Sequence, residues 1–267
     1  MNHPAGSFIW YELMTTDATA AARFYGAVVG WQIADRPDPQ AGGPDYRPIV
    51  RDDGGSAGGV MQLTKEMREQ GAHSAWVAYL HVPDVDRAVQ AITADGGQAL
   101  MPKMTLPVGD IAMVTDPMGA PFYVMTPVPP PGRPDAVSDV FSPEQPQRVR
   151  WNELRSPDLA RATAFYARHF GFRCNGSMPM GPELGDYQFI DHGDVRVGGM
   201  MKQPDIAGPG GWIFYFGVRC ALAAKRAIEA NGGKVESDLN PVPGGDWVLR
   251  ATDPQGARFG VVGPKGE

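Results

Sequence analysis

The sequence predicts an α+β fold of two tandem domains, each a pair of β-α-β-β-β modules. Three observations predict it. First, the 22-residue stretch Trp10–Trp31 recurs 141 positions later as Trp151–Phe172 with eight identities: Trp10/Trp151, Glu12/Glu153, Leu13/Leu154, Asp17/Asp158, Ala21/Ala162, Phe24/Phe165, Tyr25/Tyr166 and Gly30/Gly171. Two copies at so long a period mark duplicated domains, not a solenoid of short units. Second, each copy reads as strand, helix and stop. Third, that pattern restarts once inside each half.

Taking the elements in order, Met1–Ser7 reads as a loose tail. Ile9–Met14 then alternates, with Trp10, Glu12 and Met14 on one strand face and Tyr11 and Leu13 on the other. A helix follows. In the second copy Ser156-Pro157-Asp158 reads as N-cap, N1 proline and first-turn acid, and Thr15-Thr16-Asp17 is its looser first version. Ala21, Phe24 and Val28 share a helical stripe, as do Ala162, Phe165 and His169. Gly30 and Gly171 stand where a left-handed residue ends a helix. Trp31–Asp35 is a second strand, Asp35–Asp45 a proline- and glycine-rich loop, and Tyr46–Val50 and Gly59–Leu63 are two further strands.

The restart comes at Trp76–Val82, an alternating strand. Pro83–Asp95 is a helix stopped by Gly96-Gly97, and Gln98–Met104, Ile111–Thr115 and Phe122–Met125 are strands, the last two joined by the turn Asp116-Pro117-Met118-Gly119. Residues 127–147 hold seven prolines and read as a stiff linker. Beyond it, Tyr187–Ile190 matches Tyr46–Ile49, Gly198-Gly199 matches Gly58-Gly59, and Trp212–Val218 matches Trp76–Val82. Asp253-Pro254-Gln255-Gly256 repeats the late turn. The expected domains are therefore 1–126 and 148–267.

A net charge of −6 with no Lys/Arg-rich run argues against nucleic acid and anionic membrane as partners. Cys174 and Cys220 lack metal or redox spacing and read as small buried thiols of a reduced protein. No apolar leader or long apolar run stands out, so a cytoplasmic location is expected, with non-classical export compatible. A duplicated chain also implies an intramolecular pseudo-dimer, as a monomer or a homodimer.

The paired modules, the Phe-Tyr of the first helix, the following Gly-Trp or Gly-Phe and the Asp-Pro-x-Gly turn resemble the vicinal oxygen chelate superfamily. That group holds glyoxalase I, extradiol dioxygenases and bleomycin-resistance proteins. The Trp-Tyr-Glu-Leu opening is most similar to its bacterial two-domain glyoxalase-like members, a group that includes a mycobacterial culture-filtrate antigen. The resemblance implies that two modules form a U-shaped mixed sheet around a cleft, with up to four metal ligands. Carried over, those positions are Trp10, Gln62, Val77 and Tyr123 in the first domain and Trp151, Lys202, Ile213 and Gly260 in the second. The family's usual His and Glu are absent from nearly all of them.

The chemistry of the residues agrees. A catalytic divalent ion needs about three converging donors. On the expected cleft faces Glu12, Gln62 and His81 could make a weak oxygen–nitrogen site in the first domain, so a divalent metal there stays open. In the second domain Lys202 and Gly217 take the places of Gln62 and His81, and a lysine cation repels a metal. Glu12 and Glu153 are the candidate general bases, since desolvation raises a carboxyl's pKa, or else structural carboxylates bonded to Tyr79 and Tyr215. His81 is the second catalytic candidate, with a plain structural role as its alternative. Trp10, Tyr79, Tyr123, Trp151 and Tyr215 are candidates to stack on a ligand, or core. Methionines such as Met113 and Met125 read as core filler. The expected function is binding of a small organic molecule without a tightly held metal, in detoxification or resistance. A metal-dependent lyase, isomerase or oxygenase using the first cleft is the alternative, and a non-catalytic scaffold or secreted interaction protein is another.

Overall fold

The computed structural model describes residues 3–38, 43–203 and 211–267. Part of the loop expected over Asp35–Asp45 lies outside the described residues. The architecture is α+β, with two mixed sheets. The first module is β1 (Phe8–Thr15), α1 (Ala18–Val29), β2 (Gln32–Ile33), β3 (Tyr46–Val50) and β4 (Ser56–Gln62). After the short α2 (Lys65–Glu69), the second is β5 (Ala75–His81), α3 (Val85–Ala94), β6 (Gln98–Leu106), β7 (Gly109–Thr115) and β8 (Pro121–Pro127). The third is β9 (Val149–Ser156), α4 (Leu159–Phe170), β10 (Arg173–Pro179), β11 (Asp186–His192) and β12 (Val195–Lys202). The fourth is β13 (Gly211–Gly217), α5 (Ala221–Ala230), β14 (Lys234–Val235), β15 (Asn240–Pro241), β16 (Trp247–Thr252) and β17 (Arg258–Gly263). Strand orders are β2-β3-β4-β1-β5-β8-β7-β6 and β10-β11-β12-β9-β13-β17-β16-β14, with β15 on β16.

Local signals set the helix ends. Asp17 and Asp158 are the N-caps of α1 and α4, each carboxylate accepting a hydrogen bond at 2.9 Å, from Ala20 N and Arg161 N. Ser156 was expected as the cap of α4, but it ends β9, and its hydroxyl accepts from Asp158 N. Gly30 and Gly171 close both helices at φ 84° and 69°. α2 is an addition the sequence reading lacked: five residues are too few to show a period, although Thr64 caps it.

The chain divides into two compact units, and the second and third modules share one of them. It comprises Met1–Trp10, Val77–Ser138 and Trp151–Trp212. Its core gathers around Tyr166, 0% exposed, whose ring meets Trp212 edge-on at 5.3 Å and lies parallel to Phe172 at 5.9 Å. The Tyr166 hydroxyl accepts a hydrogen bond from Trp212 Nε1 at 3.0 Å and donates one to Asp116 Oδ2 at 3.3 Å. The other oxygen of Asp116 accepts from Met118 N and Ala120 N, both at 2.9 Å. The residues expected to be a loose tail are pinned here from His3 onward. Gly6 N donates to His81 O at 2.8 Å and His81 N to Ser7 O at 2.9 Å. Gly6 has φ 90°, and a Cβ on it would sit 2.0 Å from Phe170 O, so only glycine fits.

The other unit comprises Tyr11–Trp76, Asp139–Arg150 and Ile213–Glu267, the first and fourth modules. The duplicated tyrosine repeats its role. Trp76 Nε1 donates to the Tyr25 hydroxyl at 2.8 Å, which donates to Asp253 Oδ2 at 3.1 Å. Asp253 Oδ1 accepts from Gln255 N at 2.9 Å and Ala257 N at 2.8 Å. Phe24, Trp31, Phe216 and Phe259 surround the Tyr25 ring; such pairs add about 0.5–1.5 kcal/mol each beyond area burial. The end of the proline-rich stretch is built into this unit. Gln147 is buried, with its carbonyl accepting from Trp31 Nε1 at 2.9 Å and its Nε2 donating to Gly30 O at 2.7 Å. Arg51, 2% exposed, pairs with Asp139 at 2.6 Å.

Candidate functional site

The half-sheet β5-β8-β7-β6 gathers two of the candidate binding residues, Tyr79 and Tyr123, and the catalytic candidate His81. α3 covers one of its faces, where Ala112, Val114, Phe122 and Val124 are all 0% exposed. The residues between them point to the opposite face. Register sets Tyr79 beside Tyr123, Tyr123 beside Met113, and Met113 beside Met101, so one row of side chains crosses all four strands. The two phenol rings stack with centroids 4.3 Å apart and planes 13° apart. A second row runs His81, Met125, Ile111, Met104. The tyrosine pair is mostly covered, at 6% and 4%, whereas Met101 and Met113 are half-buried and Met104 is 40% exposed. Met113, expected as core filler, therefore contributes a partly open thioether to an aromatic face. Thioether and aromatic groups are polarisable, and their contacts are worth about 0.3–1.5 kcal/mol each. The signal was in the sequence: Met113 alternates with the buried Ala112 and Val114.

His81 ends β5. Its Nδ1 lies 3.2 Å from Pro4 O and its ring 6.2 Å from the ring of His3. Burial foremost, then the neighbouring His81 charge, hold the pKa of His3 below its usual value. The histidine proposed for catalysis is thus engaged by the amino-terminal segment.

The third module places Glu153 on β9 at 6% exposure. Arg155 Nε donates to its Oε1 at 2.9 Å, and the Tyr187 hydroxyl donates to its Oε2 at 3.3 Å. Trp151, half-buried, donates from Nε1 to the Tyr187 oxygen at 2.6 Å. The Tyr187 ring lies against Gly199, where a Cβ would come within 2.0 Å of it. Sequence reasoning missed Arg155 and Tyr187 as partners. The two-residue spacing of Glu153 and Arg155 on one strand face was the available signal. Lys202, exposed, ends β12, and residues 204–210 beyond it lie outside the described residues.

In the other unit Glu12 is 3% exposed and stands opposite Gly59 in register. Gln62 is committed to the first turn of α1: Oε1 accepts from Ala18 N and Nε2 donates to Thr16 O, both at 2.8 Å. Tyr215, 5% exposed, lies over Gly260, where a Cβ would be 2.3 Å from its ring. Gly217 is covered by Arg150, Gln145 and Pro146. Trp10, on β1 but within the unit of the second and third modules, is half-buried. Cys174 and Cys220, expected to be buried, are free and half-buried, and Cys220 Sγ caps α5.

These side chains do not fit a resident divalent ion. Val77, Ile213 and Gly260 carry no donor, Trp10 and Trp151 offer indoles, and Lys202 is a cation. The Gln62 amide is already bonded at both ends, and no three His, Cys, Asp or Glu side chains come together among the described residues. No helix there is long and apolar enough to cross a membrane.

Comparison with known proteins bears on both halves. The model of the Glyoxalase/Bleomycin resistance protein/Dioxygenase superfamily matches residues 7–123 and again 148–261. A protein of Mycobacterium bovis carried as "Putative glyoxylase CFP32" is 31% identical over 258 residues, covering 96% of this chain and 94% of the relative. The "Anthracycline biosynthesis protein DnrV" of Streptomyces peucetius is 26% identical over 274 residues, covering 96% and 93%. The Mn(II)-bound glyoxalase from Novosphingobium aromaticivorans superposes with a TM-score of 0.62 at 13% identity, over 99% of this chain and 83% of that one. The 2,3-dioxygenase LapB from Pseudomonas sp. KL28 gives 0.61 at 15%, over 97% and 93%. The solved structures speak for the fold.

Proposed function

The chain belongs to the glyoxalase/bleomycin resistance protein/dioxygenase superfamily, and on that premise we propose that it binds a small, flat organic molecule without a tightly held metal. The row Tyr79–Tyr123–Met113–Met101 carries this reading. It offers aromatic edges and thioethers over a rigid sheet, which suits a polarisable ring system better than a sugar or a peptide. The name of the Streptomyces relative supplies a class of ring system, the fused planar chromophore of anthracyclines. Binding by such a face sequesters a compound, which is the physical basis of a resistance or detoxification role. The alternative, metal-dependent lyase, isomerase or oxygenase chemistry in the first cleft, would ask for donors that the described residues do not assemble.

The test is a fluorescence titration with a neutral anthraquinone. Saturable quenching is expected for the wild type, with Met113→Leu within about twofold of it. Met113→Arg puts a charge in the middle of the row and should weaken binding by about tenfold or more, equivalent to about 1.4 kcal/mol. No saturable binding, or an unchanged affinity in Met113→Arg, refutes the reading.

A further inference from the structure

The duplication provides an internal comparison between half-sheets, and one substitution in it changes the chemistry. In the fourth module the row equivalent to Tyr79–Tyr123–Met113 is Tyr215–Gly260–Arg250. Leu249 and Ala251, either side of Arg250, are 0% exposed, so Arg250 points to the opposite face of the sheet. Its Nε is buried and has no hydrogen-bond partner among the described residues. Glu236, whose backbone N–H donates to Arg250 O, has its carboxylate engaged elsewhere: it accepts from the Thr252 hydroxyl and lies 3.6 Å from Arg258. Arg250 forms no ion pair among the described residues. Its row neighbour is Gly260, over which the Tyr215 ring lies, so an aromatic ring stands beside Arg250 in the row, and Val248 and Val262 flank it as the next apolar pair.

We infer that Arg250 is the anchor of a second binding site, one for a small anion with an apolar body, of which an aromatic carboxylate is the type. A buried guanidinium N–H without an acceptor costs free energy that an arriving oxyanion recovers. Nε and one terminal nitrogen form a fork that a carboxylate meets with two parallel hydrogen bonds, a geometry lysine lacks. The two half-sheets then differ in kind. The second module presents thioethers for a neutral ring, and the fourth presents a cation for an acid.

Benzoate and benzamide, equal in shape and different in charge, are the probes, titrated by NMR against wild type, Arg250→Met and Arg250→Lys. Arg250→Met installs the side-chain type found at the equivalent place in the other half-sheet, and an unchanged melting temperature checks its fold. The wild type should bind benzoate at least tenfold more tightly than benzamide. Arg250→Met should lose that preference, and Arg250→Lys should keep only part of it. Equal binding of the two probes by the wild type, or a preference that survives Arg250→Met, overturns the inference. The anthraquinone titration reads the other half-sheet and should be unchanged in Arg250→Met, so failure of one reading is distinguishable from failure of the other.

Discussion

Tyr25→Phe is the perturbation whose outcome the packing specifies most fully. The substitution keeps the ring, and with it the aromatic contacts to Phe24, Trp76 and Phe259. It removes one oxygen that serves two groups. Trp76 Nε1, at 2.8 Å, loses its acceptor, and Asp253 Oδ2, at 3.1 Å, loses its donor. Trp76 and Asp253 are 5% and 4% exposed, so water does not readily replace what is lost. Leaving a buried polar group unsatisfied costs about 1–3 kcal/mol, and two groups give about 2–6 kcal/mol. For a chain of this size that is a fall in melting temperature of roughly 5–15 °C. Urea titration should show a lower midpoint at unchanged slope. Adding Trp76→Phe removes the stranded donor, so the double variant should lose about 1 kcal/mol less than the two singles together. A loss below about 0.5 kcal/mol for Tyr25→Phe, or strict additivity in the cycle, would refute the account of the Trp–Tyr–Asp chain.

The remaining expectations concern charge, capping and close contact. Burial, foremost, raises the carboxyl pKa of Asp253 above 3.8, against the backbone N–H groups and Tyr25 that lower it. A raised folded-state pKa contributes stability that is whole below the unfolded value and is lost as pH climbs through the folded one. Stability of Asp253→Asn relative to wild type should therefore improve as pH rises from about 3.5 to 7, and a flat or opposite trend in urea midpoints against pH contradicts that assignment. Gln62→Ala should destabilise by about 1–2 kcal/mol through the opened first turn of α1, with anthraquinone affinity unchanged; a selective loss of affinity would return Gln62 to the binding residues. Gly199→Ala should cost about 1–3 kcal/mol by driving a methyl into the Tyr187 ring. A neutral outcome in thermal melts would show that the ring is free to move away.

What the sequence made legible was what neighbouring residues decide. Alternation in Ile9–Met14 and the left-handed stops at Gly30 and Gly171 depend on a few adjacent positions, and the structure has them. The error over Ser156 was equally local, because strand β9 runs one residue past the stretch equivalent to Ile9–Met14, takes in Ser156 and hands the cap to Asp158. Distant pairing was not legible. Asp116 and Asp253 read as turn residues, yet each also reaches the hydroxyl of a duplicated tyrosine, in the second case across 228 positions of sequence. Repetition itself hid which modules share a core, since each copy carries the same Phe-Tyr and the same turn. Gln62 looked like a donor over a cleft because its amide chemistry suits that role. The backbone of α1 already uses both ends of it. Gln147, in a stretch read as spacer, holds a left-handed backbone at φ 61° and bonds to Trp31 and Gly30, a role that no local pattern announces. On the binding face, Met113 was visible in sequence and assigned to the wrong environment, because alternation shows that it faces away from its neighbours without showing what lies there.

Affinity for the anthraquinone in protein dialysed against a strong chelator, with metal content read by mass spectrometry on the same sample, tests the central claim most directly. Saturable binding with less than about 0.1 divalent ion per chain is the expected result, and ligand at a hundred times its dissociation constant should then stabilise the fold by about 2.7 kcal/mol. Binding that vanishes on chelation and returns with one equivalent of manganese, iron, nickel or zinc would contradict it.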